Sequence, residues 1–256
     1  MVTLNRRQRR RVEGEIRAEV ETREVSPERL ALVLCDVWDQ HWCRAAADRV
    51  DELAPAVDRV VRCARELGAH IIHAPSDVMG HYEGSVARLR AMEAPKADPP
   101  PLRPPAEEPP LPVDVSDGGC ESEGATPDWV WSRQHAAIGI EDSDALSDVG
   151  DEVYNLLRMW RIETALMMGV HTNMCVLNRS FAIRAMLSRG VDVVLVRDLT
   201  DAMYSPSMPP HVNHFEGVNL VVQHIETWLC PSILSTDITG EAAFRFRDDT
   251  GGLASR

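Results

Sequence analysis

The chain has almost no lysine. Of its 27 cationic residues only Lys96 is a lysine, and the others are arginines. Its six cysteines form no CxxC pair and lack the dense spacing of a disulfide framework. No apolar run approaches the roughly 20 residues of a transmembrane helix. These absences argue against a metal ribbon, a disulfide scaffold and a membrane span.

Basic charge is also scarce as a whole, since the formal net charge is −13. A nucleic-acid surface needs a clustered basic face, so that class of partner is not expected. The basic N-terminal stretch is not followed by an apolar segment, and therefore no secretory signal is predicted. We expect a cytoplasmic protein with reduced thiols.

Apolar runs and helical patterns alternate along the chain. Residues 30–37 form a continuous apolar run, and residues 45–67 have apolar side chains at helical spacing. Further strands are predicted at 70–74, 164–169 and 191–196, with a helix over 176–189. This order predicts an α/β fold with three layers, α/β/α, and a mostly parallel central sheet.

Three segments lie outside this regular pattern. Residues 1–28 are charged and predict a solvated helix or arm, the main domain spans 29–230, and residues 231–256 are expected to form a tail. Inside the domain, residues 94–127 hold ten of the seventeen prolines and almost no periodicity. Long irregular insertions of this kind are either functional lids or disordered, and we favour an ordered lid.

The stretch Gly169–Cys175, Gly-Val-His-Thr-Asn-Met-Cys, follows an apolar strand and precedes the predicted helix. Cys175 would then lie at a helix N-terminus, where free N–H groups and the helix dipole favour a thiolate. The simpler alternative is a buried cysteine at a strand–helix junction.

Asp36 ends the first strand of the domain. In a parallel sheet Asp36 and Cys175 would share one edge, and a carboxylate beside a thiol can act as its general base. An isolated carboxylate at a strand end can also simply cap a neighbouring loop.

Residues 169–176, the later Gly190 and the strand leading to Arg197-Asp198 resemble the signature of the isochorismatase-like cysteine hydrolases, a superfamily that includes nicotinamidases and N-carbamoylsarcosine amidase. The resemblance covers roughly residues 29–230. It implies the hydrolysis of a carbon–nitrogen bond through a thioester, with Cys175 as nucleophile and Asp36 as base. It also implies a cis peptide between Val170 and His171, with the backbone N–H groups of His171 and Cys175 as oxyanion hole.

The third catalytic residue of the family is a lysine, about forty residues before the cysteine, where this chain has Trp131-Ser132-Arg133-Gln134. Arg133 is the natural substitute, and we expect an electrostatic role for it because an arginine cannot lose its proton. Two alternatives stay open: a non-catalytic binding or regulatory protein of the same fold, and a thiol redox protein that uses Cys175 with Cys120.

The presence of the cysteine favours amide or carbamoyl chemistry, because family members that hydrolyse isochorismate lack it. Nicotinamidases carry a metal site after the second strand, where only Asp77 and His81 match here. We therefore expect no metal and no other cofactor. The expected partner is a small-molecule amide, and the resemblance implies a homo-oligomer.

Several side chains near the predicted edge are candidates for the substrate pocket. Loop aromatics beside a catalytic base commonly form an apolar wall, although tryptophans after a strand are more often packing residues. The candidates are Trp38, Trp42, His135 and Tyr204.

Overall fold

The computed structural model describes residues 1–104 and 107–251, and its centre is an eight-stranded sheet. The strands are β1 (Val2–Val12), β2 (Glu15–Val25), β3 (Leu30–Cys35), β4 (His70–Ala74), β5 (Ala145–Leu146), β6 (Thr164–Val170), β7 (Val193–Asp201) and β8 (Ser232–Ile233). They lie in the order β2-β1-β8-β7-β6-β3-β4-β5. All pairings from β8 to β5 are parallel, and β1 is antiparallel to both of its neighbours. The predicted α/β fold with a mostly parallel sheet is confirmed.

Helices cover both faces of this sheet. They are α1 (Arg44–Leu67), α2 (Val86–Met92), α3 (Gly150–Met159), α4 (Cys175–Asn178), α5 (Ile183–Ser188), α6 (His214–Trp228) and α7 (Thr236–Thr239), with 3-10 turns at Pro27–Arg29 and Met79–Tyr82. Alternate residues of β3 pack on opposite sides because strand side chains alternate. Ala31 and Val33 join the core under α3, α5 and α6, and Leu32 and Leu34 join the core under α1.

The N-terminal segment differs from its prediction as a charged helix or arm, because it is a β-hairpin. Strands β1 and β2 pair over their full length, and Glu13 and Gly14 turn the chain with positive φ angles of 54° and 90°. Two positive φ values are what a tight hairpin turn requires. The hairpin joins the sheet where Arg7 pairs with Ser232 of β8.

The C-terminal segment is more ordered than the expected tail. Residues 232–233 form β8, residues 236–239 form α7, and Phe246 is buried against the α1 face of the sheet. Residues 252–256 of the predicted tail lie outside the described residues. The Pro-rich stretch contains no helix or strand between 95 and 104 or between 107 and 127, and its residues 105–106 also lie outside the described part.

Candidate functional site

The predicted nucleophile and base meet at the carboxyl edge of the sheet. Strands β3 and β6 are parallel neighbours, and Cys35 pairs with Gly169. Asp36 follows β3 with a positive φ of 51°, while β6 runs into the turn 171–174 that places Cys175 at the start of α4. The register therefore brings the two side chains together, as the alternation of strands and helices predicted.

Asp36 is fully buried and each of its carboxylate oxygens has a partner. Oδ1 accepts a hydrogen bond from the backbone N–H of Ser76 at 2.7 Å, and Oδ2 accepts one from Nε of Arg179 at 2.9 Å. The thiol of Cys175 lies beside this carboxylate, and each group perturbs the pKa of the other. Burial raises the pKa of Asp36, and the charge of Arg179 opposes that rise.

Cys175 differs from the expected thiolate. Burial, followed by the negative charge of Asp36, raises the pKa of Cys175 to about 12. Arg179 and a backbone hydrogen bond from His171 act in the opposite direction. The predicted long helix over 176–189 is broken into α4 and α5, so only one short turn of helix follows the sulfur. Cys175 is thus a protonated thiol at neutral pH, beside the carboxylate of Asp36.

The turn between β6 and α4 is held from several sides. The Val170–His171 peptide is cis, as the resemblance implied. The N–H of Thr172 donates to the carbonyl of Asp201 at 2.8 Å, and the side chain of Asn173 forms two hydrogen bonds with the backbone of Met203, at 2.7 and 3.0 Å. These bonds fix the backbone that leads to the sulfur.

Arg133, the expected positive partner, lies elsewhere. Its side chain is half-exposed, and its Nε is 3.8 Å from Oδ2 of Asp39. Among the described residues the guanidinium that contacts Asp36 is that of Arg179, which also donates from Nη2 to Asp77 at 3.0 Å. The structure thus joins Asp36 with Cys175 but does not bring Arg133 to them.

The four predicted pocket residues have different positions. Trp38 is buried, stacks on Trp131 with ring centroids 4.4 Å apart, and lines a small cavity of about 10 Å³ together with Asp36, His41 and His171. Trp42 packs against Gly118 of the Pro-rich stretch, 3.6 Å from the position of a Cβ there.

The other two do not line this cavity. His135 accepts from the N–H of Ala137 and contacts Asp51 at 3.0 Å. Tyr204 is fully buried in the core, where its hydroxyl donates to the carbonyl of Met208 at 3.0 Å. The expected place of Tyr204 at the rim of the site is therefore corrected, because core packing and these hydrogen bonds occupy its ring and hydroxyl.

Two neutral histidines lie behind the turn. Burial lowers the pKa of His171 to about 3 and that of His41 to about 4, and the two rings meet edge to face with centroids 4.9 Å apart. Nδ1 of His41 accepts from the N–H of Cys43. Within the described chain Nε2 of His171 is buried without a hydrogen-bond partner.

Residues 114–122, which we call the strap, cross the surface beside these rings. A disulfide joins Cys120 of the strap to Cys43, the residue before α1. This pairing corrects the expectation of six reduced thiols and leaves Cys120 engaged with Cys43 rather than with Cys175. Next to it, Glu121 forms ion pairs with Arg49 at 2.6 Å and with His214 at 3.1 Å.

The described residues contain no group of three or more His, Cys, Asp or Glu side chains arranged to hold a metal ion. Asp77, a weak metal candidate in the sequence, is paired with Arg179. None of the helices between residues 1 and 251 is long and apolar enough to cross a membrane.

Comparison with solved structures identifies the fold. The chain is similar to a cysteine hydrolase from Pseudomonas syringae pv. phaseolicola 1448A, with a TM-score of 0.53 at 16% identity over 84% of this chain and 93% of that one. It is also similar to an isochorismatase from Pseudomonas putida KT2440, with a TM-score of 0.51 at 10% identity over 85% and 94% of the two chains. The chain therefore has the isochorismatase-like fold. No protein-family profile and no curated protein sequence matches it.

Sequence reasoning missed Arg179 and Ser76. Arg179 follows Cys175 by four residues, a spacing at which side chains of a helical turn share one face. That spacing was the available signal for a cation beside the nucleophile. Ser76 contributes only its backbone N–H, and no residue pattern announces such a contact.

Proposed function

We propose that the protein is a hydrolase of the isochorismatase-like type that cleaves the carbon–nitrogen bond of a small amide or carbamoyl compound. The single observation that carries this proposal is the placement of the Cys175 thiol beside the buried carboxylate of Asp36 at the end of two paired strands. The fold shared with a cysteine hydrolase supports it.

In the first half of the proposed reaction, Asp36 takes the proton from Cys175 while the sulfur attacks the substrate carbonyl carbon. The carbonyl electrons move to oxygen, and the backbone N–H groups of His171 and Cys175 are the proposed donors to this oxyanion. When the carbon–oxygen double bond re-forms, the carbon–nitrogen bond breaks. Asp36 returns its proton to the leaving nitrogen, which departs as ammonia or an amine.

In the second half, water hydrolyses the thioester. Asp36, again a carboxylate, removes a proton from water as the water oxygen attacks the thioester carbonyl. The carbon–sulfur bond breaks, Cys175 recovers a proton from Asp36, and the acid leaves. Because the resting pair holds one proton between two buried groups, the base is ionised at the start of each half.

The proposal is tested with a panel of primary amides and N-carbamoyl compounds, with ammonia release as the readout. We expect at least one compound to be hydrolysed, and Cys175→Ala to reduce its turnover to background. The matched control is Cys63→Ala, since Cys63 is a partly exposed free thiol on the outer part of α1. An acyl adduct on the Cys175 peptide in mass spectra would identify the thioester.

The rival functions predict other results. A binding protein of this fold would retain a panel compound without releasing ammonia or forming an adduct. A thiol redox protein would convert Cys175 to a sulfenate or a mixed disulfide under peroxide, with no hydrolysis in the panel. Either result would contradict the proposed hydrolase.

A further inference from the structure

The site contains a buried carboxylate and a partly buried thiol, with one cation in direct contact with the carboxylate. Arg179 donates from Nε to Asp36 at 2.9 Å and from Nη2 to Asp77 at 3.0 Å. Its own backbone N–H donates to the carbonyl of Cys175 at 3.0 Å. One arginine is therefore tied at its backbone to the nucleophile and at its side chain to the base.

The guanidinium of Arg179 also lies over an aromatic ring. Its central carbon lies 5.9 Å from the centre of the Trp38 ring, a distance at which an aromatic face attracts a cation. Trp38 is fixed in turn by its stack on Trp131 and by a hydrogen bond from Nε1 to the carbonyl of Ser76 at 3.1 Å. The arginine therefore has a defined position, with its side chain about one-third exposed.

We propose that Arg179 is the positioning residue that keeps Asp36 ionised and aligned toward Cys175, in place of the lysine that this chain lacks. This inference rests on the proposed function of the pair. It differs from the sequence-based hypothesis, in which Arg133 supplies the charge.

Arg179 acts through Asp36 and does not transfer a proton, because an arginine remains charged in proteins. A buried carboxylate without a cation would tend to take a proton and lose its use as a base. The charged or titratable groups next to Asp36 are Arg179, Cys175, Cys35 and, on the far side of the guanidinium, Asp77. The cavity that Asp36 lines also contains Asp39, Asp51, His41 and His171, and burial lowers the pKa of both histidines so that they are neutral. Among all these groups only Arg179 is a cation.

The test measures the reactivity of Cys175 directly, so that it does not depend on finding a substrate. The full chain is treated with iodoacetamide between pH 6 and 10, and alkylation of the Cys175 peptide is followed by mass spectrometry. Arg179→Gln is expected to slow Cys175 alkylation at pH 7.5 by about tenfold or more and to move its pH profile to higher pH, since loss of an adjacent opposite charge typically shifts a pKa by 1–3 units. Arg179→Lys is expected to recover part of that loss.

Three further variants make the result specific. Arg133→Gln tests the rival residue and is expected to alkylate at the wild-type rate. Arg62→Gln removes a comparable surface arginine, paired only with Asp58 on α1, and serves as the matched control. Asp77→Asn releases one arm of Arg179 and is expected to give an intermediate loss. Circular dichroism of each variant checks that it folds.

The inference is overturned if Arg179→Gln, folded, keeps the wild-type pH profile, or if Arg133→Gln produces the shift instead. If Arg179→Gln does not fold, Arg179→Lys and Asp77→Asn decide the question instead. The inference then requires that the pH profile of Cys175 alkylation in both variants is shifted to higher pH than in the wild type. A protein that shows the Arg179 effect but hydrolyses no panel compound would contradict the hydrolase proposal and leave the role of Arg179 intact.

Discussion

The properties of the Cys175 thiol and the Asp36 carboxylate can be understood only from their interaction as a pair. Burial raises the pKa of both groups, so neither would be useful alone at neutral pH. In the proposed reaction the pair holds one proton, which moves from sulfur to oxygen when a carbonyl carbon approaches.

Replacement of the base tests this pairing. Asp36→Asn keeps the shape of the side chain but cannot accept the proton, and we expect kcat/KM on a panel substrate to fall by about 10²–10⁴-fold. Steady-state ammonia release is the measurement. Asp48→Asn, at an exposed position of α1, is the control. Equal turnover in Asp36→Asn and the wild type would show that Asp36 is not the base.

Among the individual site residues, the sequence predicted those that directly follow a strand or its turn. Asp36 and Cys175 were found because the carboxyl ends of parallel strands converge, and that rule needs only the order of elements. Arg133 was misplaced as the partner because the position of a guanidinium depends on which carboxylate its long side chain reaches. Asp39 and Asp36 are three residues apart, and only the fold decides between them.

Among the elements, strand β6 tolerates substitution poorly near its C-terminal end. Gly169 has a φ of 112°, and a Cβ there would lie 2.0 Å from the carbonyl oxygen of Cys35. Close approach of β3 and β6 at this point is what sets Asp36 beside the turn 171–174. A glycine with positive φ and no free space cannot be replaced without moving one strand.

We expect Gly169→Ala to lower the free energy of unfolding by about 2–4 kcal/mol, because it combines a left-handed backbone with a backbone clash. Urea denaturation followed by circular dichroism measures this loss. Gly80→Ala is the matched control, since no atom lies within 4 Å of the place its Cβ would take and its φ is ordinary. An unchanged midpoint in Gly169→Ala would show that β3 and β6 separate easily.

The N-terminal hairpin was predicted wrongly although its sequence contains the alternation typical of a strand. In β2 the residues Ile16, Ala18, Val20 and Thr22 alternate with charged residues, which is the two-residue period of a strand. The density of charge favoured a solvated helix or arm, and because nearly all of β2 is exposed its alternation marks no buried face. The break between α4 and α5 had no comparable signal, since residues 176–189 have helical spacing throughout.

For the molecule as a whole, the strap links distant parts of the chain around the site. The disulfide spans 77 residues between Cys43 and Cys120, and Gly119 packs so closely on the backbone of Met203 that a Cβ would lie 2.5 Å from its carbonyl oxygen. Met203 is also the residue that holds Asn173 of the turn 171–174. The strap is thus connected to the turn 171–174 through the backbone of Met203, which both Gly119 and Asn173 contact.

Loss of this crosslink should be measurable. Cys120→Ala is expected to reduce the free energy of unfolding by roughly 2–4 kcal/mol, and dithiothreitol should produce a similar loss in the wild type but none in the variant. Denatured, unreduced protein should take up four N-ethylmaleimide labels, one for each free cysteine. Six labels would contradict the disulfide.

A buried charge cluster under the strap gives a pH dependence of stability. Burial opposes it, but Asp201 at 2.8 Å and Glu121 raise the pKa of His214 to about 9, compared with 6.5 when unperturbed. A raised pKa stabilises the fold fully below pH 6.5, and this stabilisation is lost as the pH rises through 9.

We expect the free energy of unfolding to fall between pH 6.5 and 9.5, with a contribution from His214 of about 3 kcal/mol at most. Urea unfolding at several pH values measures it. His214→Gln should be less stable at pH 6.5 and should show a flatter pH dependence over this interval. A variant with the same slope as the wild type would assign the effect to another group.

The pairing of β1 with β8 constrains the order in which the parts of the sheet can assemble. The buried ion pair between Arg7 and Glu226 joins residues separated by 219 positions, and the edge of the sheet that contains it cannot close until both are available. During synthesis the hairpin must wait for almost the entire remaining chain. Its exposed strand β2 carries charged residues on one face opposite Ile16 and Val20 on the other, and charges on an edge strand disfavour pairing with other chains. The charged residues that concealed a strand in the sequence thus also protect the open edge of the sheet from pairing with other chains.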